Sequence, residues 1–170
     1  NSVSQINTAA AALKLNNPAE LVRRCEQISA ELKEKERQIE GLNSKLAVIR
    51  VNELLGNAKR VEGIEFVTAE FKNIGSDALR VMADALREKS SNCVAVLADV
   101  KSDGATIAVT SGAAAQQLGV QSGKLVGAVA AVAGGKGGGR PDFAMAGAKD
   151  IAKIKEALAA AESLMLNMLK

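Results

Sequence analysis

The 170-residue chain contains no histidine. That removes the commonest general base, the commonest metal ligand and the Ser–His and Cys–His nucleophile pairs. The acidic residues form no paired constellation either. No catalytic residue, no metal site and no cofactor is expected. Aromatic residues are scarce: Phe66, Phe71 and Phe143 are the only three, with no Trp or Tyr. A platform of aromatic side chains for stacking single-stranded bases is therefore not available. Contact with a nucleic acid would have to run through phosphates, sugars and backbone amides. There are two cysteines, Cys25 and Cys93, far apart and without a partner motif. They read as buried thiols in a reducing cytoplasm. The longest weakly polar stretch, Leu125 to Gly135, is rich in Ala and Gly and too short to span a bilayer. With no signal-peptide pattern, a cytoplasmic location without membrane contact is expected. The chain opens on Asn1 rather than Met, which looks like a piece of a longer protein.

No block of one charge stands out. The net charge is +3; residues 1–60 carry ten Lys/Arg against seven Asp/Glu, and residues 61–150 carry nine against ten. Non-specific adhesion to long DNA is not the reading this supports.

What the chain does have begins with helical periodicity. Residues 3–15 read as a helix, and Asn17-Pro18-Ala19-Glu20 as a stop and restart, with Asn17 as N-cap and Pro18 in the first helical position. Such a turn suggests an antiparallel helical hairpin. From there Leu21, Ile28, Lys35, Leu42 and Ile49 recur every seven residues, and Cys25, Leu32, Ile39 and Leu46 interleave with them. Eight of these nine positions are apolar and charged residues fill the flanks, the pattern of a coiled-coil seam. The alternative is a long solvated helix packed on its own domain. The period changes after residue 60. Strands are predicted over 63–71, 93–100 and 105–110, a hairpin turn over 101–104, and helices over 76–89, 112–119, 123–132 and 150–169. The fold class is α+β or α/β. A helical hairpin or coiled-coil arm (1–60) precedes a small mixed, glycine-rich globular domain (61–170).

The most distinctive segment is Gly134-Gly135-Lys136-Gly137-Gly138-Gly139-Arg140-Pro141-Asp142-Phe143-Ala144-Met145-Ala146-Gly147. A glycine run can gather backbone N–H groups into a concave nest and admit an anion without Cβ interference. Lys136 and Arg140 would flank it, the Arg able to grip phosphate with two parallel hydrogen bonds. Gly138 is expected at positive φ, intolerant of Val. The other reading of the run is a structural glycine hairpin with no ligand. A P-loop fails because Gly137 follows Lys136, and a dinucleotide fingerprint fails because the run follows a helix-like segment.

GGKGGGRPDFAMAG resembles the signature of the DHH-associated domain, in the version that ends bacterial-type alanyl-tRNA synthetases. The preceding coiled coil (EKERQIEGLNSKLA), strand, helix and strand pair match that layout. The resemblance implies a non-catalytic module that docks on the elbow of tRNA and links aminoacylation and editing modules. Its implied partners are tRNA (alanine-specific), the other domains of the parent synthetase and a second copy of the chain, through Leu21, Ile28, Leu32, Ile39, Leu42, Leu46 and Ile49. Carried over as RNA-binding are Gly137, Gly138, Gly139 and Arg140, with Lys136 flanking and Lys124 and Lys149 added, these last two also readable as ordinary solvated charges. The family usually closes with two glycines where this chain has Gly147-Ala148, which bears on how closely a ligand approaches there. A primarily self-associating module and the substrate-binding domain of a DHH-type phosphoesterase or nuclease are the alternatives.

Overall fold

Residues 1–170 are described by a computed structural model, and their contacts divide into two units, Asn1–Leu42 and Asn43–Lys170. In the first, α1 (Ser2–Ala12) starts at Asn1, whose side chain accepts from the Val3 amide at 3.2 Å. Asn17 caps a 3₁₀ turn over Pro18–Glu20 by accepting from the Ala19 amide at 3.0 Å, as its position before proline predicts. This turn leads into α2 (Leu21–Gly56), 36 residues long. Leu21 and Ile28 are half-buried, but Leu32, Ile39, Leu42, Leu46 and Ile49 are 51–62% exposed. These residues line an exposed apolar stripe, and nothing in the chain covers most of it. Cys25 is exposed on this stripe, so the expectation of two buried thiols holds only for Cys93. A seam residue is buried only by a second helix, which the chain does not bring to it. Burial and the nearby charge of Glu65 push the Cys93 thiol up to about 12.

The second unit includes the last turns of α2. There Ala47 and Val51 are buried and Leu54, Leu55 and Ala58 partly so. Spaced by three and four, these residues form a domain-facing stripe separate from the seam. The boundary expected at residue 60 and the contact division at 42/43 differ by this part of α2.

Six strands follow: β1 (Lys59–Val61), β2 (Ile64–Lys72), β3 (Cys93–Lys101), β4 (Gly104–Ser111), β5 (Lys136–Gly139) and β6 (Phe143–Ala148). They form one sheet in the order β1-β2-β3-β4-β6-β5, with β2–β3 parallel and the other pairs antiparallel. The parallel pair is joined by α3 (Ser76–Lys89), as a parallel connection requires. Its apolar face (Ala78, Leu79, Met82, Ala83, Leu86) is buried, with Asp77 in the first turn and Arg87 and Lys89 in the last, matching the helix dipole. Buried Asp99 holds the turn into α3, one carboxylate oxygen accepting from the Ile74 amide and the other from Gly75, both at 3.0 Å.

Strand β3 explains its own apolar run. Cys93, Ala95 and Leu97 face the core beneath α2 and α3, while Val94, Val96 and Ala98 face the opposite one. That second core is covered by α5 (Ser122–Val132) and α6 (Ile154–Leu166). A short α4 (Ala113–Gln117) connects β4 to α5. In β6 the alternation sorts by size: Ala144, Ala146 and Ala148 face α5, while Phe143 and Met145 face the α3 side. Small residues on one face only let α5 lie close to the sheet, and that closeness shapes the glycine segment.

Candidate functional site

The glycine run is not a nest. Lys136–Gly139 forms β5, an exposed edge strand in register with β6: Lys136 opposite Gly147, Gly137 opposite Ala146, Gly138 opposite Met145 and Gly139 opposite Ala144. Successive amides of an extended strand turn to opposite sides, so they cannot converge on one anion. In the run only Gly134 has positive φ, at 65°. The structural reading of the run, a glycine hairpin, describes its backbone.

Sterics account for most of these glycines. A Cβ on Gly137 would sit 2.2 Å from Ala146 Cβ, and one on Gly139 2.6 Å from Ala144 Cβ. From the helix side, a Cβ on Gly123 would fall 2.3 Å from the Gly139 carbonyl oxygen, and one on Gly127 3.0 Å from that of Gly137. Helix α5 thus lies with its own glycines against the backbone of β5. The Ser122 and Gly123 amides at its start donate to the Pro141 and Arg140 carbonyls at 2.9 and 3.1 Å. The positive end of α5 is therefore occupied by the β5–β6 turn. Ser111 Oγ, 2.9 Å from Ser122 Oγ, also donates to the Pro141 carbonyl at 2.8 Å and pins the same turn. Gly138 differs: its φ is ordinary and a Cβ there meets nothing within 4 Å, which overturns the expected backbone strain of a side chain at this position. Gly147 is equally open.

The two ends of β5 carry different chemistry. At the Lys136 end, three segments meet around an open cleft of about 580 Å³: the β3–β4 turn (Lys101, Asp103, Gly104), the approach to β5 (Gly134, Gly135, Lys136) and the exit of β6 (Gly147, Ala148, Lys149). Three lysines and one carboxylate residue, Asp103, line the cleft, and none of the three lysines lies within 4.0 Å of a carboxylate. Ala148 is buried in the α5-side core and backs the cleft.

At the other end Arg140 is not free. Its Nε and Nη2 donate to the two oxygens of Asp142 at 3.1 and 3.0 Å. Asp142 also accepts from Arg87 Nη1 at 2.6 Å, and Arg87 Nη2 donates to Asp84 at 2.8 Å. Partial burial acts to raise the Asp142 pKa, but the hydrogen bond from Arg140 and the charges of Arg140 and Arg87 outweigh it and lower it. Phe143, adjacent in sequence, is capped by the Arg80 guanidinium 5.0 Å from its ring centre. Lys124, exposed in the first turn of α5, also lies at this end, since the Gly123 amide bonds the Arg140 carbonyl.

The structure therefore brings Lys136 and Lys149 together and separates them from Arg140 and Lys124. Residue patterns do not reach Lys101. In sequence it belongs to a turn, and only the pairing of β4 with β6, Ala105 opposite Ala148, places that turn beside Lys149. No group of three or more His, Cys, Asp or Glu gathers to hold a metal ion, and no helix is long and apolar enough to cross a membrane.

Known proteins are similar to this chain. The DHHA1 domain matches residues 63–167. Alanine–tRNA ligase of Trichodesmium erythraeum (strain IMS101) is 35% identical over 153 residues, 90% of this chain and 18% of the relative. That of Acidovorax sp. (strain JS42) is 40% identical over 160 residues, 94% of this chain and 18% of the relative. The chain spans less than a fifth of the length of the curated relatives it matches. Among solved structures, the C-Ala domain of alanyl-tRNA synthetase from Aquifex aeolicus has the same fold, with a TM-score of 0.59 and 24% identity over 64% of this chain and 97% of that one. With the glycine hairpin, the α5 contact and nearly all of the six-stranded sheet inside the matched region, the chain belongs to the DHHA1 domain family.

Proposed function

We propose that this chain is a non-catalytic tRNA-binding and assembly module of an alanine–tRNA ligase, acting in the cytoplasm on the elbow of an alanine-specific tRNA and linking the parent's aminoacylation and editing modules. The observation that carries the RNA-binding part is the cleft lined by Lys101, Lys136 and Lys149, whose three ammonium groups have no internal carboxylate partner. Its other walls are backbone of Gly104, Gly134, Gly135 and Gly147, so a sugar–phosphate edge can approach closely. With few aromatic side chains in the chain, recognition rests on phosphates and 2′-hydroxyls, hence on shape more than sequence. The similarity to alanine–tRNA ligases over about 90% of the chain supports the choice of RNA. Lys136 and Lys149 are then the primary contacts, with Lys101 added. Gly137 and Gly139 shape the strand, and Gly138, Arg140 and Lys124 belong to the far end.

A tRNA titration over a salt series tests this. Each phosphate neutralised adds about 0.9 to the steepness with which log affinity falls against log salt, so three lysine contacts give a slope of about −3. A flat response removes the reading.

Self-association is a second role with its own observation: Leu32, Ile39, Leu42, Leu46 and Ile49 form an exposed apolar stripe on α2. Paired α2 helices would bury it as a coiled-coil seam, with Cys25 on the same line. Sedimentation at several concentrations, together with oxidative trapping through Cys25, checks this; a monomer that still binds tRNA eliminates self-association as the main role.

A further inference from the structure

The arginine end of β5 has no role in the reading above, and its geometry resembles an occupied anion site. Arg140 enters from the β5–β6 turn and Arg87 from the last turn of α3. Both present guanidinium N–H groups to one carboxylate, Asp142, at 2.6 to 3.1 Å, while the other arm of Arg87 stays held by Asp84 at 2.8 Å. Two guanidinium groups converging on a single anion from separate elements is an arrangement suited to gripping a phosphate. The site opens to the surface on one side: the Arg140 side chain is 72% exposed, that of Asp142 33% and that of Arg87 24%. Beside it the backbone of Gly138 is bare, and a Cβ placed there would meet nothing within 4 Å.

We propose that Arg87 and Arg140 form a second anion-binding site that Asp142 keeps occupied, and that the phosphodiester backbone of a folded RNA displaces this carboxylate once it is held at the lysine cleft. This rests on the RNA-binding reading above and adds selectivity to it. A free phosphate must compete with a carboxylate tethered two residues from Arg140. A polyanion already seated on Lys101, Lys136 and Lys149 competes at high effective concentration. The two sites are separated by the length of β5, about 13 Å for four residues at roughly 3.3 Å each. Only a ligand with several phosphates spans both. Asp142 therefore acts as an internal mimic of the ligand: it keeps the two guanidinium groups arranged for an anion and rejects single anions.

The experiment is a titration of the chain and of Asp142→Asn with a folded tRNA transcript over a salt series, with inorganic phosphate as the single-anion probe and thermal melts run alongside. Removal of an exposed ion-pair competitor predicts a gain in tRNA affinity of about two- to fivefold. It also steepens the salt slope by about 1, because the phosphate then displaces solution counterions from the two guanidinium groups instead of Asp142. Inorganic phosphate at millimolar concentration protects Asp142→Asn in the melt more than it protects the unaltered chain, the lysine cleft being the same in both. Adding Arg87→Gln and Arg140→Gln to Asp142→Asn abolishes the gain, while Asp77→Asn, which removes the same charge elsewhere, gives none. Asp142→Ser gives the same direction of change and serves where the Asn variant folds poorly. Unchanged or weaker tRNA binding by both folded Asp142 variants overturns the proposal, as does an equal gain in Asp77→Asn. If the unaltered chain binds tRNA and loses it on lysine substitution, such a result leaves the RNA reading standing. If the unaltered chain shows no salt-dependent tRNA binding at all, both fall.

Discussion

The two ends of β5 are separated by four residues, yet one end holds three lysines without partners and the other holds arginines bound to carboxylates. Charge counting does not distinguish them. The difference lies in where the nearest carboxylate is anchored. Asp142 sits in the turn that closes the hairpin, two residues from Arg140, and meets Arg87 because Phe143, at the start of β6, packs on the α3 side of the sheet. Asp103 lines the lysine cleft without forming an ion pair there. A cation with an internal partner must exchange one anion for another on binding, and gains little. One without a partner exchanges only solvent and counterions, and contributes fully.

The glycines between the two ends set the first and largest test. Gly139→Ala should destabilise the globular unit, because its Cβ falls 2.6 Å from Ala144 Cβ and 3.0 Å from Ala144 Cα, neither of which can yield. Overpacking of this kind costs about 3 kcal/mol, a drop of roughly 6–12 °C in the melting midpoint for a protein of this size. Next in size, replacing Lys101, Lys136 and Lys149 together by Gln should make the tRNA salt slope shallower by about 3 at an unaltered melt. Arg140→Gln, by the same measurement, should change it by much less than one, since a phosphate that displaces Asp142 there exchanges one anion for another and releases no net counterion. Equal effects at the two ends would erase the distinction between them.

Acid sharpens the same contrast. The folded-state pKa of Asp142 is lowered by Arg140 and Arg87, so its bridge contributes stability above the unfolded aspartate value, about 4, and loses it as pH falls below that. Asp142→Asn should flatten this part of an acid melt series, while substitution of the cleft lysines leaves it in place. The smallest effect is expected at Gly138→Ala, where the added Cβ meets open space at ordinary φ; the melt should move by less than about 0.5 kcal/mol. A large loss there would mean that the strand is held by contacts other than those described.

Much of this is legible in residue patterns. The Asn17-Pro18 restart, the heptad stripe, the amphipathic α3 with its charged ends and the doubly buried β3 are all short-range signals. The glycine segment is located by its composition, but the nest expected of it is a strand in the structure. Glycine permits both a nest and a close-packed strand, and nothing within the run chooses between them. The choice is made by Gly123 and Gly127 on α5 and by Ala144 and Ala146 on β6, whose small side chains create the space that a strand of glycines fills. β1 and β6 are not readable as strands because β1 has only three residues and β6 alternates large with small apolar residues, giving no alternation of apolar with polar.

Local chemistry is enough to establish the long helix, the mixed helices and strands, the lack of histidine-based chemistry and the position of the distinctive segment, because caps, periodicity and side-chain inventory act over a few neighbouring residues. The partnering of each cation needs the assembled sheet. Lys101, Lys136 and Lys149 come from segments up to 48 residues apart, and Arg87 lies 55 residues from Asp142. Which of these charges meets a carboxylate and which meets solvent is decided by strand order and register, and those depend on how closely each helix can pack over the sheet.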